Sequence, residues 1–147
     1  MSTNNNSNNR HMAQFVIKSK IINLFSHADV KKGFIHKNME VMLRRDHDYF
    51  HHKRGPDMWA IKVLGFNDEN IGYMNPCEAI HIAPVMDYMM LYGYNANMDA
   101  IITDTYDWSE QGLIFPIDVY FTCKAHLVEY VIKTFERNDI LFDLYYK

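Results

Sequence analysis

Short runs rich in β-branched and aromatic residues, separated by turn residues, fill most of this chain, and helix signals break the pattern only twice. That arrangement confines the chain to strands with a few intercalated helices in one α+β domain, a small barrel or a strongly curved sheet. The first strand reads from Phe15 to Phe25, the second from Met39 to Arg44, where Met39, Val41 and Leu43 alternate with Glu40, Met42 and Arg44. Trp59 to Leu64 and Ile71 to Tyr73 flank the turn at residues 65–70 as a hairpin with a longer loop. Further strands are expected at Ala100 to Thr103, Phe115 to Phe121 and Ile140 to Tyr145.

The first helix is announced by its cap. Asn75 can satisfy free amides, Pro76 suits the first helical position, and Glu78 stands where a capping box reaches back. Pro84 is expected to kink this helix or divide it. The second helix runs from about Lys124 to Arg137, where Leu127, Val128, Val131, Ile132 and Phe135 form one apolar stripe, and Asn138 can end it in a left-handed turn. Residues 1–12 are an Asn/Ser-rich tract too polar to repay the entropy of ordering, so a disordered tail is expected there and a single domain over 13–147. The tract has no apolar core of a secretory signal, and Cys77 and Cys123 form neither a disulfide scaffold nor a zinc motif; a nuclear or cytoplasmic protein with reduced thiols is expected. No apolar run is long enough to span a membrane, so no membrane partner is expected.

Charge is distributed unevenly. Residues 1–62 hold 11 of the 15 Lys and Arg but 5 of the 18 Asp and Glu, a net +6, whereas residues 63–147 carry a net −9. Lys31, Lys32, Lys37, Arg44, Arg45, Lys53, Arg54 and Lys62 fall within about thirty residues, which points to a polyanion on one face. The alternative is that the fold interleaves the two halves and the signs neutralise. Between Asp46 and Asp57 lie His47, His51 and His52 beside Lys53 and Arg54. His47 and His51 have helical zinc spacing, but Gly55-Pro56 argues against a helix and Asp48 stands where the HExxH motif needs Glu, so a cationic loop is the better reading and no metal is expected. No GxSxG, P-loop or GxGxxG motif is present, and Cys77 with His81 at i, i+4 is better read as packing at a helix start; neither a catalyst nor a cofactor is expected. Tyr88, Tyr92 and Tyr94 with Met86, Met89, Met90 and Met98 read as core and rim more readily than as a ligand box.

Taken in order, Val41-Met42-Leu43-Arg44-Arg45-Asp46, Pro56-Asp57, Ala60-Ile61-Lys62-Val63, Ile71-Gly72-Tyr73 and Ile82-Ala83-Pro84-Val85-Met86-Asp87 resemble the HIRAN domain, a module found in some DNA-remodelling enzymes and as a stand-alone protein. The resemblance extends more weakly through Phe115 to Phe121 and the last helix. It implies a small antiparallel OB-like β-barrel that holds the 3′ end of single-stranded DNA with stacking aromatics and a carboxylate on the terminal hydroxyl. By that resemblance Asp57 matches the hydroxyl-binding acid, Lys62 the strand lysine and Tyr73 the residue after the glycine. The chain departs from the pattern at Pro56, where the family has tyrosine, at Trp59, where it has asparagine, and at Ser26-His27, where it has a tyrosine pair. Phe25, Trp59, Tyr49 or Phe50 can stand in for the missing stacking groups. The expected nucleic-acid contacts are therefore Phe25, His27, Arg44, Arg45, Lys53, Arg54, Asp57, Trp59, Lys62 and Tyr73. The partner is DNA, single-stranded or at 3′ ends, and the alternative is a protein-interaction adaptor with the same fold but a degenerate groove.

Overall fold

The computed structural model describes residues 12–22, 34–51, 55–92, 97–109 and 112–146. In chain order the elements are β1 (Ala13–Ile22), β2 (Glu40–Arg45), β3 (Phe50–His51), β4 (Gly55–Pro56), β5 (Ile61–Leu64), β6 (Asn70–Met74), α1 (Pro76–Leu91), β7 (Asn97–Ile102), β8 (Asp107–Ser109), β9 (Gly112–Cys123), α2 (Ala125–Arg137) and β10 (Phe142–Tyr146). Strands β1, β6, β5, β2, β7 and β9 close into an antiparallel barrel, because β1 pairs with both β6 and β9; β10 adds along β1 and β8 along β9. The α+β class, the barrel and both helices agree with the expectation from sequence. The β3–β4 hairpin and β8 were not legible there, and the tail expected at 1–12 lies outside the described residues except for Met12.

Period-2 alternation builds the barrel interior. Ala13, Phe15, Ile17 and Ile21 of β1 are fully buried, as are Val119 and Cys123 of β9, and Phe15 stacks on its register partner Phe121 at 5.1 Å. The α2 stripe lands on the same cluster: Phe135 meets Phe15, Phe121 and Phe142 at 5.9, 6.0 and 5.7 Å between ring centroids. Leu127, Val128 and Val131 are buried beside it, while Ile132 is half-buried. This helix ends in a Schellman arrangement, with Ile140 N–H donating to Phe135 O at 2.9 Å. The left-handed residue is Asp139 (φ 57°), not Asn138 (φ −110°), whose side chain instead donates to Thr134 O.

Helix α1 begins as its cap implies, with Asn75 Oδ1 accepting from Cys77 N. Glu78 does not complete a reciprocal capping box, because the Asn75 N–H is taken by Lys20 O; its carboxylate accepts from Asn75 Nδ2 and Ser19 Oγ and ties the helix start to β1. Pro84 does not divide the helix, which runs unbroken from Pro76 to Leu91. Burial of Ile82, Ala83, Val85, Met86 and Met89 against the barrel offsets the roughly 3 kcal/mol cost of an internal proline. Cys77 is exposed at the helix start and not packed there, while Cys123 is buried; both thiols are free. Met86, Met89 and Met98 belong to the core, Met90 and Tyr92 are exposed, and Tyr94 lies outside the described residues. None of the helices among the described residues is long and apolar enough to cross a membrane.

Candidate nucleic-acid interface

The barrel sorts the adjacent arginines of β2 by strand parity. Val41, Leu43 and Arg45 occupy the buried positions, and Glu40, Met42 and Arg44 the outer ones. Arg44 lies opposite Lys62 of β5, and Lys62 opposite Tyr73 of β6, so the three form one row across the outer face. Between the end of β2 and the start of β5 at this side lies the 46–60 loop, in whose described residues β3 pairs with β4.

Arg45, expected among the nucleic-acid contacts, is instead buried at 9% exposure and binds protein through most of its guanidinium. Nε donates to Asp87 Oδ1 of α1 at 3.0 Å, Nη1 to Ala60 O at 2.7 Å, and Nη2 to Met58 O at 2.6 Å and Asp87 Oδ2 at 3.3 Å. The guanidinium also lies 5.6 Å from the Trp59 ring centroid. It therefore clamps the turn at residues 57–60 to α1, which explains why β5 begins at Ile61 and not at Trp59. Within that turn Asp57 Oδ1 accepts from Trp59 N at 3.0 Å, and the Asp57 N–H donates to Tyr49 O. Asp57 and Trp59 are both half-buried.

Tyr73 is 7% exposed, so its ring is a support and not an open stacking face. Tyr49 covers it at 4.1 Å between centroids, and the Tyr73 hydroxyl donates to Asp46 Oδ2 at 2.6 Å. Burial, then the bond to Asp46, pushes its pKa up to about 12, so Tyr73 remains a neutral donor under physiological conditions. Open aromatic surface comes from Phe50, 66% exposed and in register opposite Pro56, the residue that precedes Asp57. An aromatic side chain thus stands across the hairpin from the position where the resemblance lacks its tyrosine.

Of the other expected contacts, Phe25, His27, Lys53 and Arg54 lie outside the described residues, as does His52. His47 is exposed, and no group of three or more His, Cys, Asp or Glu among the described residues is arranged to hold a metal ion. Asp46 and Asp87 were not singled out from sequence, although both stand in the segments that carry the resemblance; their roles follow from what they touch. The charge asymmetry is partly neutralised by the fold: Lys18 lies in register opposite Asp118, and Arg45 pairs with Asp87. Arg44 and Lys62 lie opposite each other on the β2–β5 outer face.

The chain matches no sequence family profile and no curated protein. Its fold does match solved structures. The crystal structure of the HIRAN domain of human HLTF is similar with a TM-score of 0.62 and 17% identity over 86% of this chain and 92% of that one. The NMR structure of the same domain gives 0.52 and 17% over 83% and 89%. A crystal structure of a protein from Lactobacillus plantarum gives 0.50 and 19% over 74% and 95%. At 17–19% identity these similarities show the fold, which is HIRAN-like, and not an activity.

Proposed function

We propose that this chain, with its HIRAN-like fold, is a nucleic-acid-binding module without catalytic activity of its own, and that its ligand is single-stranded DNA or a DNA 3′ end. The observation that carries the reading is that Arg44 and Lys62 lie opposite each other on the outer face, at the ends of β2 and β5 where the chain passes through the segment that bears Phe50, Asp57 and Trp59. Cations contact phosphates, aromatic rings stack on bases with little regard for sequence, and a carboxylate accepts a hydrogen bond from a terminal hydroxyl. In this reading Arg44 and Lys62 hold the backbone, Phe50 and Trp59 take bases, and Asp57 receives the 3′-hydroxyl. Arg45 and Tyr73 position the loop and touch no ligand.

Fluorescence anisotropy of a labelled oligothymidine, with either a 3′-hydroxyl or a 3′-phosphate, tests this across a salt series. The hydroxyl strand should bind more tightly, since a 3′-phosphate would face the Asp57 carboxylate. Affinity should fall with salt at a log-log slope of about −0.7 for each phosphate contact. Failure of both strands to bind at low salt sinks the nucleic-acid reading and leaves the protein-interaction adaptor.

A further inference from the structure

A second surface lies at the opposite end of strands β2, β5 and β6 from the 46–60 loop, and it has the opposite character. A cavity of about 680 Å³ opens there between the segment that leads into β2 and the β5–β6 turn. Ile35 and Ile71, 5% and 7% exposed, form its floor with Met39, whereas Phe34 and Phe66 are left 63% and 79% exposed at its mouth. That volume falls within the roughly 300–1,000 Å³ of ligand-binding clefts, and two phenylalanines so exposed at one apolar hollow are unusual on a surface with no partner.

The β5–β6 turn holds Phe66 outward by an uncommon backbone. Asn67 and Asp68, neither of them glycine, are both left-handed at φ 57° and 59°. Bonds from Gly65 N to Glu69 O at 2.8 Å and from Glu69 N to Phe66 O at 3.2 Å close the turn. Asn and Asp enter this region more readily than other non-glycine residues, so the turn keeps its shape at modest cost. Among the described residues the carboxylates that line the cavity are Glu40 and Glu69, both exposed; His36 also belongs to the lining, and none of the described Lys or Arg does. Two carboxylates beside an apolar hollow repel phosphate and attract cations, so the charge complement is a basic peptide and not a nucleic acid.

We propose that this cavity docks a short segment of a partner protein in which a large apolar side chain stands next to Lys or Arg. The apolar side chain enters between Phe34 and Phe66, and the cation meets Glu40 or Glu69. The proposal is independent of the nucleic-acid reading, because the two surfaces share no residue.

The test pans a phage-displayed library of random peptides of about 12 residues on the immobilised full chain. The affinity of the leading enriched peptide is then measured for wild type, Phe66→Ser and the double variant Glu40→Lys/Glu69→Lys. These side chains are exposed, and circular dichroism confirms that each variant is folded. The enriched peptides should pair an aromatic or aliphatic residue with Lys or Arg, and each variant should bind the leading peptide at least about tenfold more weakly. Oligothymidine binding should stay within about twofold of wild type in Phe66→Ser, since single-strand contacts elsewhere are untouched. Absence of enrichment, an acidic or purely polar consensus, or equal binding by wild type and both variants would overturn the proposal. So would competition by oligothymidine, which would place the peptide at the 46–60 loop, or self-association lost in Phe66→Ser, which would make a second copy of this chain the occupant.

Discussion

The two ends of the molecule are held together by different physics. Where α2 meets β1, β9 and β10, four phenylalanine rings (Phe15, Phe121, Phe135 and Phe142) pack at 5.1 to 6.0 Å between centroids, and Phe15 and Phe135 are fully buried. Where the 46–60 loop meets α1, the organising group is one guanidinium with a carboxylate and two carbonyls around it. The first contact is non-directional and draws its strength from buried area; the second is directional and contributes geometry more than stability. Damage at the aromatic end should therefore unfold the chain. Damage at the loop should leave a folded protein whose candidate site has lost its shape.

The largest effect is expected from Val131→Asp, which places a charge without a partner at a fully buried position of α2. Chemical denaturation followed by circular dichroism should show a loss of at least about 3 kcal/mol, or no folded protein. A loss below about 1 kcal/mol would break the comparison at its apolar end.

Arg45→Met keeps the length of the side chain and removes the clamp. It strips Ala60 O and Met58 O of a donor, for an expected loss of about 2 kcal/mol, and Asp87→Asn should cost at least as much, because it leaves the buried Arg45 guanidinium without its counter-charge. The sharper reading is local. Amide exchange at Trp59 and Ala60 should quicken while that of β1 and β9 keeps its wild-type order, and oligothymidine affinity should drop out of proportion to stability. Uniform quickening across the barrel would mean that Arg45 is simply part of the core.

Outer-face substitutions should cost less stability than loss of the Arg45 clamp. Lys62→Ala and Arg44→Ala should each weaken oligothymidine several-fold, whatever its 3′ group, and reduce the salt slope by about 0.7. Asp57→Asn should leave the slope alone and narrow the preference for a 3′-hydroxyl over a 3′-phosphate. If Asp57→Asn instead weakens both strands equally, the carboxylate acts through the turn it closes with Trp59 N.

A pH titration reads both ends at once. Burial raises the Cys123 thiol from 9.0 to about 11 at the aromatic end, and burial with the Asp46 bond raises Tyr73 from 10.0 to about 12 at the loop. Both groups hold their protons more tightly when folded, so their contributions are complete below the unfolded values and are lost as pH rises. Stability should decline from about pH 9 to 11 through Cys123 and from about pH 10 to 12 through Tyr73. Cys123→Ala should remove the earlier part of the decline and Tyr73→Phe the later part. A decline unchanged by Tyr73→Phe would contradict the burial of that hydroxyl.

The aromatic end was the more legible of the two. The stripe on α2 and the alternation of β9 are patterns complete within about a dozen residues, so no knowledge of the fold is needed to find them. The order of segments resembling the HIRAN domain added the barrel, in which Lys62 lies opposite Tyr73. The candidate site was legible as residue types but not as roles. Arg44 and Arg45 are chemically alike and adjacent, and both looked like phosphate contacts until their places on opposite sides of β2 separated a surface cation from a buried clamp. Pro84 looked like a breaker until packing showed that the helix passes through it.

By itself the sequence determined the α+β class, the places of most strands and both helices, and the excess of cations in its first 62 residues, because periodicity, caps and charge counts are local properties. Only the tertiary structure decided that β1 pairs with β6, β9 and β10, that Lys18 faces Asp118, and that Asp87, 42 residues along the chain, reaches Arg45. Those choices depend on which surfaces can be buried together, a competition among distant segments that no short window of residues records.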